Sequence, residues 1–213
     1  MKAQYPGYDV MRKRDGPSWN AATRTVIDER LALPALPLFF NAQEWLTVRA
    51  LSACVLPQPD NRPAIPIAAM VDAKLFSGQS NGYLDTRLPP PPEAWRRGLA
   101  AIDAQAHSSF GVAFEEATRE QQLMLITAIA EGSVTGQAWD GLPSALLFRA
   151  RLMHDLASAY YSHPAAWSEI GFGGPASPRG YVRLGADRRD AWEAVEAGTG
   201  QEVQVIEVNH RVR

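Results

Sequence analysis

The chain has 213 residues, 46% of them hydrophobic, and a formal net charge of −2. This length supports one well-buried core, and the near-neutral charge, with basic residues spread along the chain, excludes an electrostatic footprint for nucleic acid or an anionic membrane surface. No stretch approaches the roughly 18 apolar residues that a membrane-spanning helix needs. A soluble domain with neither a nucleic-acid partner nor a membrane span is therefore expected.

Residues 1–40 are predicted to form an N-terminal arm with one short helix. Proline and glycine interrupt most of the arm, and only residues 20–33 are long enough for a helix, which Asn20 can cap. The arm carries Tyr5, Tyr8 and Trp19, which is more aromatic surface than a disordered tail has. The arm is therefore expected to pack on the chain's own core or on another protein.

The first residues contain no apolar segment ahead of the basic cluster Arg12-Lys13-Arg14. This pattern predicts that the chain has no secretory signal. A cytoplasmic location is expected, with a periplasmic one as the alternative if a partner carries the chain across the membrane.

Residues 41–184 are predicted to form a helical core that ends in a loop. Asn41 and Glu44 match a capping box at the start of a helix that Pro57 stops. Cys54, the single cysteine, falls within this apolar helix and is interpreted as a core residue. Further helices are expected from Pro66 to Phe76 and from Glu93 to about His107.

Two later helices complete the predicted core. Thr118 begins one with Gln121 as its capping partner, and its nearly uniform apolar character suggests a central position. The other spans residues 142–162. Helical spacing places Arg149 in the middle of its apolar stripe, where an unpaired charge would cost several kcal/mol, so a carboxylate or a partner protein is expected beside it.

Residues 185–213 are predicted to form a C-terminal short helix and an extended tail. Residues 187–197 suit the helix, and residues 202–208 alternate apolar and polar side chains as a strand does. Because no sheet is predicted for this strand, it is expected either to add to a partner's sheet edge or to pack locally as coil.

The most distinctive segment is residues 157–184. Tyr160 and Tyr161 close a helix, Pro164 restarts the chain, and closely spaced glycines and prolines then specify one fixed path. Its aromatic and arginine side chains are of the types enriched at protein interfaces. It is interpreted as a docking surface for another protein.

Three catalytic alternatives are weak in this sequence. Residues 171–176 have the spacing of a dinucleotide fingerprint but lack the preceding strand and following helix. His154-Asp155 resembles the ligand pair of all-α metal-dependent hydrolases, without the remaining ligands. Ser162 and His163 are adjacent in sequence, which by itself does not make a nucleophile and base, and His163 is expected to contact the last carbonyl groups of its helix.

The order of several features resembles the gluconate 2-dehydrogenase subunit 3 family. They are the 41–57 helix with its proline-rich turn, the helix after Thr118, the Tyr160-Tyr161-Ser162-His163-Pro164 helix end and the Gly-Phe-Gly-Gly-Pro loop at 171–175. Members are small accessory subunits of FAD-dependent sugar and sugar-acid dehydrogenases. Here the family's acidic residue before the proline is replaced by His163, so the chain resembles a divergent branch.

The resemblance implies an all-α fold, a single irregular helical domain of about five to seven helices with extended arms. It also implies a non-catalytic subunit that binds and stabilises, and helps to mature or export, a large FAD-dependent dehydrogenase of the glucose-methanol-choline (GMC) type. FAD would belong to that partner, whose substrate would be a sugar, sugar acid or glycoside, as in a glucoside 3-dehydrogenase. A cytochrome c is a candidate electron acceptor.

The alternative function is a free-standing all-α metal-dependent hydrolase that uses His154-Asp155. Under the favoured interpretation the chain has no catalytic, cofactor or metal residues of its own. Its predicted partner interface comprises Tyr5, Tyr8, Trp19, Tyr161, His163, Trp167, Phe172, Gly173, Gly174, Pro175, Pro178, Arg179 and Tyr181.

Overall fold

The computed structural model describes residues 3–34, 36–60, 62–79, 82, 84–177, 180 and 188–212. Within these ranges the regular elements are helices, and the only β-type pairing is an isolated bridge between Trp19 and Ser177. The α-helices are α1 (Ala21–Leu31), α2 (Ala42–Val55), α3 (Ile67–Phe76), α4 (Pro91–Phe110), α5 (Arg119–Glu131), α6 (Ser144–Leu147), α7 (His154–Ser162), α8 (Pro164–Glu169) and α9 (Glu202–Asn209). The all-α prediction is confirmed.

The residues group into two compact units. Leu33–Ala159 form one, called the central unit, and Met1–Ala32 together with Tyr160–Arg213 form the other, called the terminal unit. None of the helices in the described part of the chain has the length and apolar character that crossing a bilayer requires.

The central unit is built around α4. Trp95 and Ile102 on this helix are fully buried. The α4 helix packs against α2 and α5, and α2 packs in turn against α3 and α5. The segment that leads into α2 is held by Asp72 of α3, whose buried carboxylate accepts hydrogen bonds from the amides of residues 38–40 at 2.7–3.0 Å. These three N–H donors replace the hydrogen bonds to water that the carboxylate loses on burial.

Local capping signals set the starts of α2 and α5 as predicted. The Asn41 and Glu44 side chains each accept a hydrogen bond from the other's amide at 2.9 Å, and Thr118 with Gln121 repeats the arrangement. Cys54 is buried, as predicted, and burial raises the pKa of its thiol although the nearby charge of Arg119 opposes the change.

The α5 helix packs against α2, α4 and α6 as a central helix would, but the expectation that it is buried on all sides is wrong. Leu125 and Ile129 are buried, but the Leu123 and Met124 side chains are 45% and 58% exposed. The helix therefore has a solvent-facing side that carries apolar residues, and uniform hydrophobicity alone misled the prediction.

The expectation that Arg149 is buried is also wrong. Arg149 is exposed and its Nε lies 3.4 Å from the Ala145 carbonyl, whereas Arg151 is 5% exposed. The reason is a π-helical stretch, Phe148–Met153, between α6 and α7. Its i→i+5 hydrogen bonding shifts the phase of the side chains by roughly one residue relative to a straight α-helix.

In the terminal unit, the N-terminal arm packs on residues from the C-terminal part of the same chain. Val10–Lys13 form a 3₁₀ turn, and α1 follows with Asn20 as its predicted cap, its Oδ1 accepting from the Thr23 amide at 2.9 Å. The apolar cluster of this unit comprises Tyr8, Val10, Trp19, Ile27, Trp167, Trp192 and Val212.

Both secondary-structure predictions for the C-terminal residues are wrong. Described residues 188–197 form coil and a turn instead of a helix, and residues 202–208 lie in α9 instead of a strand. Asn209 explains both results. Its buried side chain accepts from the Val195 amide at 2.8 Å and donates to the Val195 and Pro6 carbonyls, and helical spacing lets it share a buried face with Val205.

Candidate docking surface

The predicted docking segment begins where α7 ends. Pro164 starts α8 as predicted, because proline suits the first helical position. His163 caps that new helix, its Nδ1 accepting from the Ala165 amide at 3.1 Å, so this histidine has a structural role at a helix terminus. The Tyr160 hydroxyl donates to the Glu169 carboxylate, which ties the end of α7 to that of α8.

Trp167 is the anchor of the segment. Its indole is 4% exposed and donates from Nε1 to the Tyr161 carbonyl at 2.6 Å. Phe172 stacks edge-to-face on it with ring centroids 5.7 Å apart, and the Phe172 amide donates to the Trp167 carbonyl at 2.9 Å. The two rings are therefore held in one arrangement by packing and by main-chain hydrogen bonds.

Two glycines allow the chain to pass close to aromatic rings. Gly171 has φ +68°, and a Cβ there would lie 2.5 Å from the Tyr5 ring. Gly174 has φ +65°, and a Cβ there would lie 2.9 Å from the Trp167 ring. Both positions combine a left-handed backbone with a close contact, so the path of the loop depends on glycine.

The loop is fastened to the start of α1 at Ser177. The Ser177 amide donates to the Ser18 carbonyl at 2.8 Å, and the Asn20 amide donates to the Ser177 carbonyl at 3.1 Å. Lys13 adds a third tie, since its Nζ donates to the Pro175 carbonyl at 3.1 Å. The loop is thus preorganised by the N-terminal arm.

Lys13 is fully buried between two indoles. Its Nζ lies 5.6 Å from the ring centroid of Trp19 and 5.8 Å from that of Trp192. Burial lowers the pKa of Lys13 to about 8, although the negative charge of Glu193 opposes this change. Apart from the cluster of three basic residues at 12–14, nothing in the sequence indicates this site.

The predicted interface residues divide by exposure. Tyr161 and Phe172 are 50% and 45% exposed. The buried ones, which belong to the chain's own packing, are Tyr8, Trp19, Trp167, Gly173 and Gly174, and the half-buried ones are Tyr5, His163 and Pro175. Pro178, Arg179 and Tyr181 lie outside the described residues.

A groove of about 450 Å³ lies between α1 and the loop. Ile27 and Trp167 are its buried apolar residues, and Val26 and Phe172 are its exposed ones. The remaining lining residues are Asn20, Ala22, Thr23, Arg30, Gly174, Pro175 and Ser177. An apolar cleft of this size with a few polar groups at its edge is typical of a binding site.

Asp155, the carboxylate of the alternative hydrolase interpretation, is committed to structural contacts in the central unit. It is 2% exposed, and its oxygens lie 3.0 Å from Lys74 Nζ, 2.8 Å from Trp95 Nε1 and 3.5 Å from an Arg151 nitrogen. Burial by itself raises the pKa of Asp155, but the hydrogen bonds from Trp95 and Lys74 and the two positive charges outweigh it and hold the pKa below its usual value.

The neighbouring His154 is half exposed, with its Nδ1 3.6 Å from Asp155. Among the described residues, no group of three or more His, Cys, Asp or Glu side chains could hold a metal ion. The Asp155 cluster is an ionic network in which one buried carboxylate is paired with two cations, Lys74 and Arg151, and this arrangement gives the hydrolase interpretation no support.

Comparison with protein families bears directly on the docking interpretation. The family model described as gluconate 2-dehydrogenase subunit 3 matches residues 42–174, more than half of the chain. The chain belongs to this family. No curated protein and no solved structure matches it.

Membership in the gluconate 2-dehydrogenase subunit 3 family makes the chain an accessory subunit of a dehydrogenase complex and implies a larger partner. The matched range contains α2 to α8 and ends within the loop, at Gly174. It includes the groove residues Trp167 and Phe172, whereas α1 lies outside it.

Proposed function

We propose that this chain is a non-catalytic subunit that binds and stabilises a large FAD-dependent dehydrogenase of the GMC type. The partner would hold FAD, oxidise a hydroxyl group of a sugar, sugar acid or glycoside, and pass the electrons onward, with a cytochrome c as a candidate acceptor. The chain itself would supply a rigid surface on which the flavoprotein docks.

The observation that supports this proposal most directly is the preorganised loop with exposed aromatic side chains. Phe172 is 45% exposed although its ring is fixed against Trp167, and Tyr161 is 50% exposed beside the turn into α8. A side chain that is already held in place loses little conformational entropy on binding. Rigid aromatic residues of this kind dominate the energetics of many interfaces.

Co-expression with a candidate flavoprotein tests the proposal. We expect the two chains to coelute in size-exclusion chromatography with flavin absorbance and dehydrogenase activity in the same fractions, and the isolated chain to be colourless and inactive. Failure of the chains to coelute contradicts the proposal. Bound divalent metal with phosphatase turnover in the isolated chain would support the hydrolase alternative instead.

Two phenylalanine variants test the docking surface within that complex. Phe172→Ala is expected to weaken assembly by about 2 kcal/mol, the scale for an aromatic residue at the centre of an interface. Phe76→Ala is the control, because Phe76 is 60% exposed but lies on α3 of the central unit. FAD content in the complexes that still form should be normal. Full assembly with slow turnover of the Phe172 variant would instead implicate the loop in catalysis.

A further inference from the structure

The groove beside the loop has one wall that lies outside the residues matched by the family model. Trp167, Phe172 and Gly174 fall within the matched residues 42–174, but the opposite wall is α1, which lies outside them. The chemistry of α1 therefore has to be read from this chain, and it bears on which partner segment the chain accepts.

The apolar character of the groove points to a large apolar group as its occupant. The Ile27 and Trp167 side chains are 1% and 4% exposed, so they form a packed floor. Val26 and Phe172 line the groove but are 51% and 45% exposed, so apolar surface continues beyond the cavity. A small ligand within the cavity would leave that outer surface in water, whereas a protein segment would cover both.

Arg30 gives the occupant a charge preference. Among the described residues that line the groove, it alone carries a charge. Its Nη1 donates to the Ser162 carbonyl at 2.9 Å, and its guanidinium carbon lies 5.9 Å from the Trp167 ring centroid, which orients the group. A guanidinium has five N–H donors, so others are available to a carboxylate.

The walls are already fixed before any partner binds. The Ser177 ties and the Lys13 to Pro175 hydrogen bond hold the loop against the start of α1. A preformed groove selects its occupant by shape and charge, because little rearrangement is needed on binding.

We propose that a segment of the flavoprotein partner occupies this groove, inserting one large apolar side chain between Val26 and Phe172 and placing a neighbouring acidic side chain against Arg30. This inference rests on the proposed function, since it names the part of the chain that selects the partner and the chemistry of the partner segment.

The test uses the co-expressed complex and two matched pairs of variants. Val26→Asp puts a charge into the groove, and Val203→Asp is its control, because Val203 is a 76% exposed valine on α9 of the same unit. We expect Val26→Asp to weaken assembly at least tenfold and Val203→Asp to change it less than twofold.

The second pair isolates the role of charge. Arg30→Gln removes the proposed contact with the acidic side chain, and Arg24→Gln is its control. Like Arg30, Arg24 is a half-buried residue of α1 that donates to a backbone carbonyl, in its case that of Trp19 at 2.7 Å. Unlike Arg30, it does not line the groove. We expect about tenfold weaker assembly for Arg30→Gln, an effect that shrinks at high salt, and near-native assembly for Arg24→Gln.

A photo-crosslinking residue at position 26 identifies the occupant. A crosslink to a partner segment that contains a large apolar and an acidic residue supports the proposal. If the wild-type complex forms but both groove variants assemble normally, the groove proposal is overturned while the proposed function stands. A crosslink to a second copy of this chain, or a small molecule that the wild-type chain retains and Val26→Asp loses, also overturns it. Absence of any wild-type complex counts against the proposed function itself.

Discussion

Asp155→Asn is expected to destabilise the central unit by about 3 kcal/mol, the low end of the cost of breaking a buried ion pair. In the structure the carboxylate is 2% exposed and accepts from Lys74 and Trp95 at 3.0 and 2.8 Å, with Arg151 at 3.5 Å. An asparagine has one acceptor oxygen where aspartate has two, so its amide group would face one of these donors. The low end applies because the Lys74 side chain is 24% exposed and can turn toward water.

Urea unfolding of the full chain, followed by circular dichroism, measures this change. Asp60→Asn is the control, since Asp60 is an exposed aspartate of the same unit, and it should change the free energy of unfolding by less than about 0.5 kcal/mol. If Asp155→Asn also lowered the free energy of unfolding by less than this amount, the ionic network would be solvated and would contribute little to stability.

The pH dependence supplies an independent check. Because the pKa of Asp155 in the folded chain is held below its usual value, its ionised form contributes stability above the unfolded pKa of about 3.9. That contribution is lost as the pH falls through the lower, folded pKa. We therefore expect the stability difference between wild type and Asp155→Asn to be full at neutral pH and to shrink below about pH 4. A constant difference across this range would contradict the assignment.

Three further predictions concern charges and backbone geometry. In urea unfolding, Arg151→Ala should cost about 3 kcal/mol or more and the adjacent exposed Arg149→Ala less than about 0.5 kcal/mol; the reverse order would refute the π-helical phase. Burial lowers the pKa of Lys13 to about 8 in the folded chain, so the unfolded chain holds this proton more tightly. The stability of the wild type should therefore rise relative to that of Lys13→Met by up to about 3 kcal/mol between pH 8 and pH 10.5. A stability difference that stays constant over this range would contradict the burial of the Lys13 amine. In thermal unfolding, Gly171→Ala should cost more than Gly200→Ala, which has φ +79° but no atom within 4 Å of its Cβ position, and equal losses would rule out the tyrosine contact.

The features that the sequence predicted well depend on neighbouring residues. Asn41 with Glu44 and Thr118 with Gln121 each form a capping box over four residues, so their signal is complete within the helix they begin. The restart of the chain at Pro164 has the same local origin.

The features that the sequence missed depend on distant contacts or on small changes of helical phase. Residues 188–197 are held as coil by hydrogen bonds to remote groups, such as that from the Ala197 amide to the Gln4 carbonyl. The exposure of Arg149 follows from a π-helical stretch that no residue type marks. A shift of one residue in helical phase turns Arg149 toward solvent and places Arg151 in the buried position instead.

At the candidate docking surface, the sequence predicted the loop but not the second wall of the groove. Composition alone points to Trp167, Phe172 and the glycines. Arg30 lies on a helix with no apolar pattern of its own and joins the groove only through the tertiary fold. The burial of Lys13 is likewise not predictable from the sequence, because Trp19 and Trp192, whose rings it contacts, come from opposite parts of the chain.

The burial of the arm's aromatic residues changes where binding energy can come from. Tyr8 and Trp19 are 6% and 1% exposed within the chain's own cluster, so they cannot also be buried against a partner without unfolding the terminal unit. The aromatic surface left on the predicted docking segment lies at Tyr161 and Phe172, among its described residues. Since a few anchors carry most of the energy of an interface, partner binding should depend sharply on these positions while the arm acts through the rigidity of the loop it holds.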